Sequence, residues 1–373
     1  MNAYQAYSQL LFARADSRRV PLSGTFELTP RCNFRCKMCY IHRAEQDAAV
    51  LGQEKCTAQW LDLAAACCRA GTLLLLLTGG EPLLRPDFRE IYTGCRRMGM
   101  LVSLNTNGSL LDEDTVRFLA ADPPSRVNIT LYGASAETYE ALCGCGAAYE
   151  RVISAITALR QAGVLVKLNY SITPDNRRDV QAAYAFARAQ GLPIQAAAYM
   201  FPPVRVCGPA QCSARLRPEE AAEEKLRYDQ ARLAGQALRR HWEDLLVGRP
   251  APAAECQELP LQKIRCRAGS STFWVTWDHQ LRPCGMMTEP GVDLAQTAFP
   301  HAWEQLRALR EQIVVPAQCA ACSIRNACDQ CAAVCHAEGG SYAAVPDYMC
   351  RMTKEYLRRI RQALRGAEDG TAH

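Results

Sequence analysis

No stretch of the 373-residue chain runs through about eighteen consecutive apolar positions, the minimum for a helix that crosses a bilayer. Residues 1–14 also lack the apolar centre of a secretory leader. Nor does charge of one sign accumulate. The net charge is +5, and Lys and Arg are interspersed with Asp and Glu along the helix-like segments, which leaves no basic face dedicated to nucleic acid. Ahead of the first strand-like run there is no room for a separate peptide-recognition domain, only for a short helix over 4–15 expected to pack on the first domain. These absences set aside membrane-spanning and nucleic-acid-binding classes and imply a cytoplasmic protein.

What abounds is cysteine, with 20 residues. In a reducing cytoplasm such usage points to metal rather than to disulfides. Hydrophobic residues make up 49% of the chain, ample for a sizeable core, and the length suggests two domains. Just after a strand-like run at 25–29, the segment Arg31-Cys32-Asn33-Phe34-Arg35-Cys36-Lys37-Met38-Cys39-Tyr40 sets three thiols at intervals of four and three. Three thiolates can hold three corners of a cubane iron–sulfur cluster, which normally takes four cysteines. The local lack of a fourth leaves one iron open. A structural zinc ion closed by His42 is the alternative that these residues alone leave standing.

From 24 to about 198, strand-like and helix-like segments alternate, the pattern of βα units and a parallel sheet. Strands are predicted near 25–29, 72–78, 100–104, 126–131, 164–170 and 194–199. Helices are predicted over 57–70, 86–98, 112–121, 148–162 and 176–190, with Asp112 and Asn176 as N-caps. Gly71, Gly99, Gly163 and Gly191 stand where C-cap glycines stand. The leucine run within 72–78 delivers Gly79-Gly80-Glu81-Pro82 at its C-terminal end, where ligand sites sit in parallel α/β sheets.

A Cys-x3-Cys-x2-Cys loop after one strand and Gly-Gly-Glu-Pro after the next resembles the radical S-adenosylmethionine (SAM) superfamily. The resemblance implies an open, partial (β/α)6 barrel and a [4Fe–4S] cluster on Cys32, Cys36 and Cys39 whose free iron chelates SAM. It further implies that Gly79, Gly80 and Glu81, with Pro82, face the methionine amino group. Asn107, Thr130 and Asn169 are the corresponding polar groups at other strand ends, and Tyr40 and Phe34 lie beside the cluster. Tyr132, Tyr199 and Arg205 are candidates for the substrate side, although strand-end packing explains them equally well.

A proline-bearing connector over 201–217 leads to one charged helix over 218–246, whose acidic start and basic end suit its dipole and which reads as a solvated helix against the barrel. The stretch 248–260 reads as a linker. Beyond it stand Cys266, Cys284, Cys319, Cys322, Cys328, Cys331, Cys335 and Cys350, eight thiols in 85 residues, a density that invites oxidation unless metal is bound. A small hairpin is expected at 273–281 with Asp278-His279 as its turn. The array resembles the SPASM extension of radical SAM enzymes that modify peptides, with two departures. His279 stands where a turn glycine is expected, and the interval from Cys328 to Cys331 is one residue short.

By that resemblance Cys319, Cys322, Cys328 and Cys350 hold one auxiliary [4Fe–4S] cluster. Cys266, Cys284 and Cys331 hold another, with Cys335, Cys256 or no protein group as the fourth ligand. Two tetrahedral zinc sites would use eight thiols equally well. Cys56, Cys67, Cys68, Cys95, Cys143, Cys145, Cys207 and Cys212 read as small packing residues, with Cys143 and Cys145, in a Cys-Gly-Cys-Gly loop, the pair that could face the barrel mouth.

The expected fold is therefore α/β: a helical segment at 1–23, a partial radical SAM barrel at 24–217, a helix and linker at 218–262, a small cysteine-rich SPASM domain with a β-hairpin and short helices at 263–350, and a C-terminal helix and tail at 351–373. The resemblance implies an external low-potential electron donor such as flavodoxin or ferredoxin, a 5′-deoxyadenosyl radical from SAM, and auxiliary clusters that take up a second electron. That combination implies oxidative crosslinking of a ribosomally made precursor peptide. Gly285 follows Cys284 where anaerobic sulfatase maturases carry an acidic residue, which argues against that branch. The alternatives are a radical SAM dehydrogenase of a small molecule and, outside enzymes, an iron–sulfur electron-transfer or scaffold protein.

Overall fold

The computed structural model describes residues 3–205, 214–247, 264 and 266–369. The linker expected over 248–260, Cys256 within it, and Cys207 and Cys212 of the connector lie outside those residues. Six strands form close to the expected positions: β1 (Ser23–Glu27), β2 (Leu74–Thr78), β3 (Leu101–Thr106), β4 (Arg126–Thr130), β5 (Val166–Ser171) and β6 (Ile194–Ala197). Each pairs in parallel with the next. The leucines explain β2. Leu75 and Leu77 are buried on one face, while Leu74 and Leu76 are half-buried on the other, as in a strand covered on both sides.

The helices that cover the sheet follow from the same reading. A first helix, α1 (Ala3–Arg18), precedes β1. Next come α2 (Thr57–Arg69), α3 (Phe88–Arg97), α4 (Glu113–Ala121), α5 (Ala136–Cys143), α6 (Ala148–Gln161) and α7 (Val180–Ala189). The glycines at 71, 99, 163 and 191 follow α2, α3, α6 and α7 with φ of 102, 87, 76 and 65°. That is the left-handed bend that ends a helix. Asp112 caps α4, its Oδ1 accepting the Thr115 N–H at 2.8 Å.

Several expectations require correction. Helix α5 had no counterpart in the sequence reading; it is capped by Ser135 and ends at Cys143, with Gly144 left-handed at φ 64°. Cys143 is thus a buried helix residue and not part of an open loop. Asn176 stands at the N-cap of a 3-10 turn at Arg177–Asp179 that leads into α7, but its side chain makes no capping bond. Its side chain instead donates from Nδ2 to the Tyr132 and Ser171 carbonyls, both at 2.9 Å, and accepts the Thr173 N–H at 2.8 Å. It pins together the segments that leave β4 and β5.

The charged stretch from 218 breaks into α8 (Pro218–Arg232) and α9 (Gly235–Leu246). Thirteen residues of continuous helix would separate Asp229 from Trp242 by about 20 Å. The break lets α9 fold back, so that Trp242 Nε1 donates to Asp229 Oδ2 at 3.1 Å. Nor is α8 a solvated helix, since Glu224 and Asp229 are buried and it packs along α12 (Asp347–Asp369), after α10 (Phe299–Glu311) and α11 (Ala332–Gly339). Tyr356 of α12 also donates to Asp229.

The C-terminal hairpin is continuous with the barrel sheet. Strands β7 (Thr272–Val275), β8 (Gln280–Arg282) and β9 (Val292–Asp293) extend it in the order β9-β8-β7-β1-β2-β3-β4-β5-β6, with β7 parallel to β1. At the turn, the His279 N–H reaches the Thr276 carbonyl at 2.8 Å and the Thr276 N–H reaches the Gln280 carbonyl at 3.0 Å. His279 takes φ 60° without being glycine, the left-handed position of a three-residue hairpin loop. Its ring packs edge-on against Trp60 at 4.6 Å, burial that offsets the strain. Helix α1 likewise bears on this C-terminal segment: Arg267 lies 4.2 Å over the Phe12 ring, and Asp16 accepts from Ser270 at 2.7 Å. Phe26, Trp60, Phe273 and Trp303 share one core. Among the described residues no helix is long and apolar enough to cross a membrane.

Replacing Asn176 by Ala leaves two half-buried carbonyls and one buried amide without a partner, which costs roughly 3 kcal/mol of folding stability. Urea unfolding of the variant shows a lower midpoint with an unchanged slope.

Candidate functional site

The three-cysteine loop begins where β1 ends, and the end of β2 holds it. Gly80 N–H donates to the Thr29 carbonyl at 2.7 Å and Glu81 N–H to the Arg31 carbonyl at 2.8 Å. A Cβ at Gly79 would stand 2.3 Å from the Thr29 oxygen, and one at Gly80 2.3 Å from the Arg31 oxygen. Only glycine permits that approach. Above this contact lies a cavity of about 270 Å³ lined by Cys32, Cys36 and Cys39 together with Gly79, Gly80 and side chains from several strand ends.

Of the residues expected at this site, Tyr40, Asn107, Thr130, Tyr132 and Tyr199 line the cavity. Asn107 Nδ2 also donates toward Cys32 Sγ at 3.8 Å and to Asn33 Oδ1 at 2.9 Å, while Ser109 donates to its carbonyl oxygen. Asn169 lies on the same face of β5 as Ser171 but two residues earlier, and it is Ser171 that reaches the cavity. Pro82 opens a short 3-10 turn behind Glu81. Glu81 itself points inward. It is fully buried, and its carboxylate accepts from the Thr106 hydroxyl at 2.9 Å, the Asn107 N–H at 2.7 Å and the Leu83 N–H at 3.0 Å. It joins the ends of β2 and β3. Burial pushes its pKa up to about 7 against those three bonds.

Burial also pushes up the thiols. Cys32 is raised by desolvation and then by the Glu81 charge, Cys39 to about 12 by burial and then by Cys36, and Cys36 first by a hydrogen bond with the Cys143 thiol. Thiols that resist ionisation in an apolar cradle become ligands when a cation supplies the missing charge. The donor set therefore fits an iron–sulfur cluster. His42, the alternative zinc ligand, is not among the residues that line the cavity, and its buried Nε2 has no partner.

Sequence reasoning missed Glu27. It ends β1 fully buried and accepts from Arg205 at 2.5 and 2.9 Å and from Trp274 Nε1 at 2.7 Å. The Arg205 guanidinium stands 5.2 Å over the Tyr40 ring. A lone carboxylate in a strand with no other charge was the available signal, but its partners lie far away in sequence. Met286 also lines the first cavity, so the C-terminal segment contributes to its wall.

A second cavity of about 340 Å³ is lined by Cys266, Cys319, Cys322, Cys328, Cys331 and Cys350. Cys335 is buried in α11 and accepts from Gln330 Nε2 at 2.8 Å. Cys284 stands outside this lining; burial raises its pKa, and Cys331 and Cys266 add to the shift. Cys319 is pushed up to about 11 by burial, then by Cys335 and Cys350. Among the described residues no three Cys, His, Asp or Glu side chains converge as ligands of one ion would; the thiols surround cavities instead. Of the cysteines read as packing residues, Cys67, Cys95 and Cys143 are buried and Cys68 and Cys145 half-buried, but Cys56 is exposed at the start of α2. Gly285 has a local cause: a Cβ there would stand 2.7 Å from the Trp274 ring.

Residues 26–187 match the model of the Radical SAM superfamily. The AdoMet-dependent heme synthase of Methanosarcina barkeri is 25% identical over 339 residues, which cover 87% of this chain and 94% of the relative. Two solved structures share the fold. AnSMEcpe with bound AdoMet superposes with a TM-score of 0.67 at 16% identity, covering 94% of this chain and 100% of its own. Streptococcus suis SuiB bound to the precursor peptide SuiA gives 0.65 at 16% identity, covering 94% and 81%.

Glu81 sets a pH dependence whose sign follows from its raised pKa. Between its ordinary value of 4.5 and about 7 the folded chain keeps a proton that the unfolded chain has released. The stability it confers is complete below the lower value and is lost as pH rises through the upper one. In metal-free protein, chemical denaturation should show a fall of roughly 2–3 kcal/mol across that window, which Glu81→Gln removes.

Proposed function

This chain carries a radical SAM domain, and we propose that it is an enzyme that oxidatively modifies a peptide, joining two of its side chains in a crosslink. Cys32, Cys36 and Cys39 would hold a [4Fe–4S] cluster. Cys319, Cys322, Cys328 and Cys350, and Cys266, Cys284 and Cys331 with Cys335, Cys256 or no protein group as fourth ligand, would hold two auxiliary clusters. When bound, these groups supply one-electron cleavage of SAM to a hydrogen-abstracting 5′-deoxyadenosyl radical and a sink for the electron that the substrate gives up.

The residues of the chain have the remaining tasks. Asn107 donates to the Cys32 sulfur and orients the loop through Asn33. Phe34 and Tyr132, edge to face at 5.6 Å, exclude water beside Cys36. Gly79, Gly80, Thr130 and Ser171 offer the cavity small and polar surfaces for SAM, with Glu81 fixing the Thr106–Asn107 turn from behind. Tyr40, Phe201 and Met286 form the wall on the side of the C-terminal segment.

One observation carries the oxidative reading. Phe201 and Met286, which line the first cavity, pack with Cys284 and Cys331 against one small apolar core, so the two sets of thiols adjoin. An electron leaving a substrate at the barrel mouth would then have a sulfur-ligated acceptor close by. The likeness to a fold that elsewhere carries a precursor peptide supports a peptide as the substrate. An external low-potential donor such as flavodoxin or ferredoxin would reduce the first cluster. A small-molecule oxidation of a tetrapyrrole is the second reading, favoured by the heme synthase that aligns over 94% of its own length.

Simultaneous replacement of Cys32, Cys36 and Cys39 by Ala is expected to remove about four irons per chain and all 5′-deoxyadenosine formation while the remaining iron stays; iron analysis and chromatography read both. With a peptide encoded beside the gene, mass spectrometry should show a loss of about two mass units per modification. A gain of oxygen or methyl, or turnover of a tetrapyrrole and not of the peptide, would contradict the proposal.

A further inference from the structure

Strand β6 is the last of the sheet, and one of its edges faces a groove. The parallel ladder fixes which groups point that way. Leu168 N–H bonds the Pro193 carbonyl and Ile172 N–H the Ala197 carbonyl, so odd-numbered residues of β6 face β5. Residues 194, 196 and 198 therefore present their N–H and C=O groups outward. Tyr228 of α8 donates to the Ile194 carbonyl at 3.2 Å. The outward groups of Ala196 and Ala198 have no partner among the described residues.

The groove has about 710 Å³ of space between β6 and α8. Glu224 lines it and is fully buried. Its Oε1 accepts from Arg177 at 2.7 Å and from Arg227 at 2.8 Å, yet its buried Oε2 has no partner. A carboxylate oxygen kept from water without a donor is costly unless something supplies one. Asp229, also in the groove, is already satisfied by Trp242 and Tyr356. Tyr199 lines both this groove and the first cavity, so the two adjoin at its ring.

We propose that this groove binds an extended segment of the peptide substrate, which adds to β6 as a further strand through Ala196 and Ala198, sets a basic side chain against Glu224, and enters the first cavity past Tyr199. The inference rests on the peptide reading above and deepens it. Strand addition takes its affinity from backbone hydrogen bonds and its selectivity from side-chain pockets. Those two contributions here are the unpaired edge and the spare carboxylate oxygen.

The test uses the full chain, reconstituted and supplied with SAM, against short synthetic peptides that each carry one Lys or Arg, with norleucine replacements as controls. Retained peptides should lose about tenfold in affinity when alternate backbone nitrogens are methylated, and Ala196→Pro should cause a similar loss for the unmethylated peptides. Glu224→Gln should erase the preference for Lys or Arg over norleucine. If the proline variant does not fold, the methylated series on the unaltered protein still decides. Retention of no peptide, or retention indifferent to methylation, overturns the groove. A peptide that binds by this edge and leaves unmodified supports the groove while refuting the crosslinking reading. A peptide modified equally well by Ala196→Pro does the reverse.

Discussion

The carbonyl oxygens of Thr29 and Arg31 come so close to Gly79 and Gly80 that any side chain there would drive the two backbones apart. Two short hydrogen bonds close the same contact. The three-cysteine loop has few regular elements of its own, so its position over the sheet is set by this junction with β2 and by the Arg35 and Lys37 N–H groups, which donate to the Cys143 and Leu142 carbonyls at the end of α5. Glu81, the next residue, then bonds the Thr106–Asn107 turn, and Asn107 reaches back to Cys32. The loop, β2 and the end of β3 form one hydrogen-bonded unit, as precise positioning of a reactive centre requires.

The electrostatics of that unit point in one direction. Desolvation raises every thiol of the loop, at Cys36 after a hydrogen bond with the Cys143 thiol. Nearby, Arg205 is paired with buried Glu27, and Arg31 of the loop with Glu54. Thiols kept neutral in this way become ligands once a cationic centre supplies the compensating charge. The C-terminal thiols are in the same condition, with burial the leading cause at Cys284, Cys319, Cys331, Cys335 and Cys350.

The barrel was legible because its signals are local. A leucine run buried on both faces, a glycine after a helix and cysteines at short spacing all act within a few residues of themselves. What escaped was long-range or compensated. Helix α5 is short and lies between glycines, so it read as loop. The break between α8 and α9 depends on Trp242 finding Asp229, and the inward turn of Asn176 depends on carbonyls from two other segments. Glu27 and Arg205 are separated by most of the barrel, and neither spacing nor propensity could pair them. Spacing could not assign a fourth ligand to the second thiol set either: Cys335 is buried in α11 outside the cavity lining, and Cys256 falls outside the described residues.

The parallel pairing of β7 with β1 has a consequence for biogenesis. The first strand leaves the ribosome early, but its outer neighbour is made only after some three-quarters of translation. Until then β1 is a bare sheet border whose Glu27 lacks the Trp274 indole, a state prone to sticking to other nascent chains. A product truncated before residue 272 would keep all six barrel strands and still expose that border permanently, so loss of the cysteine-rich end would harm solubility as well as any redox role.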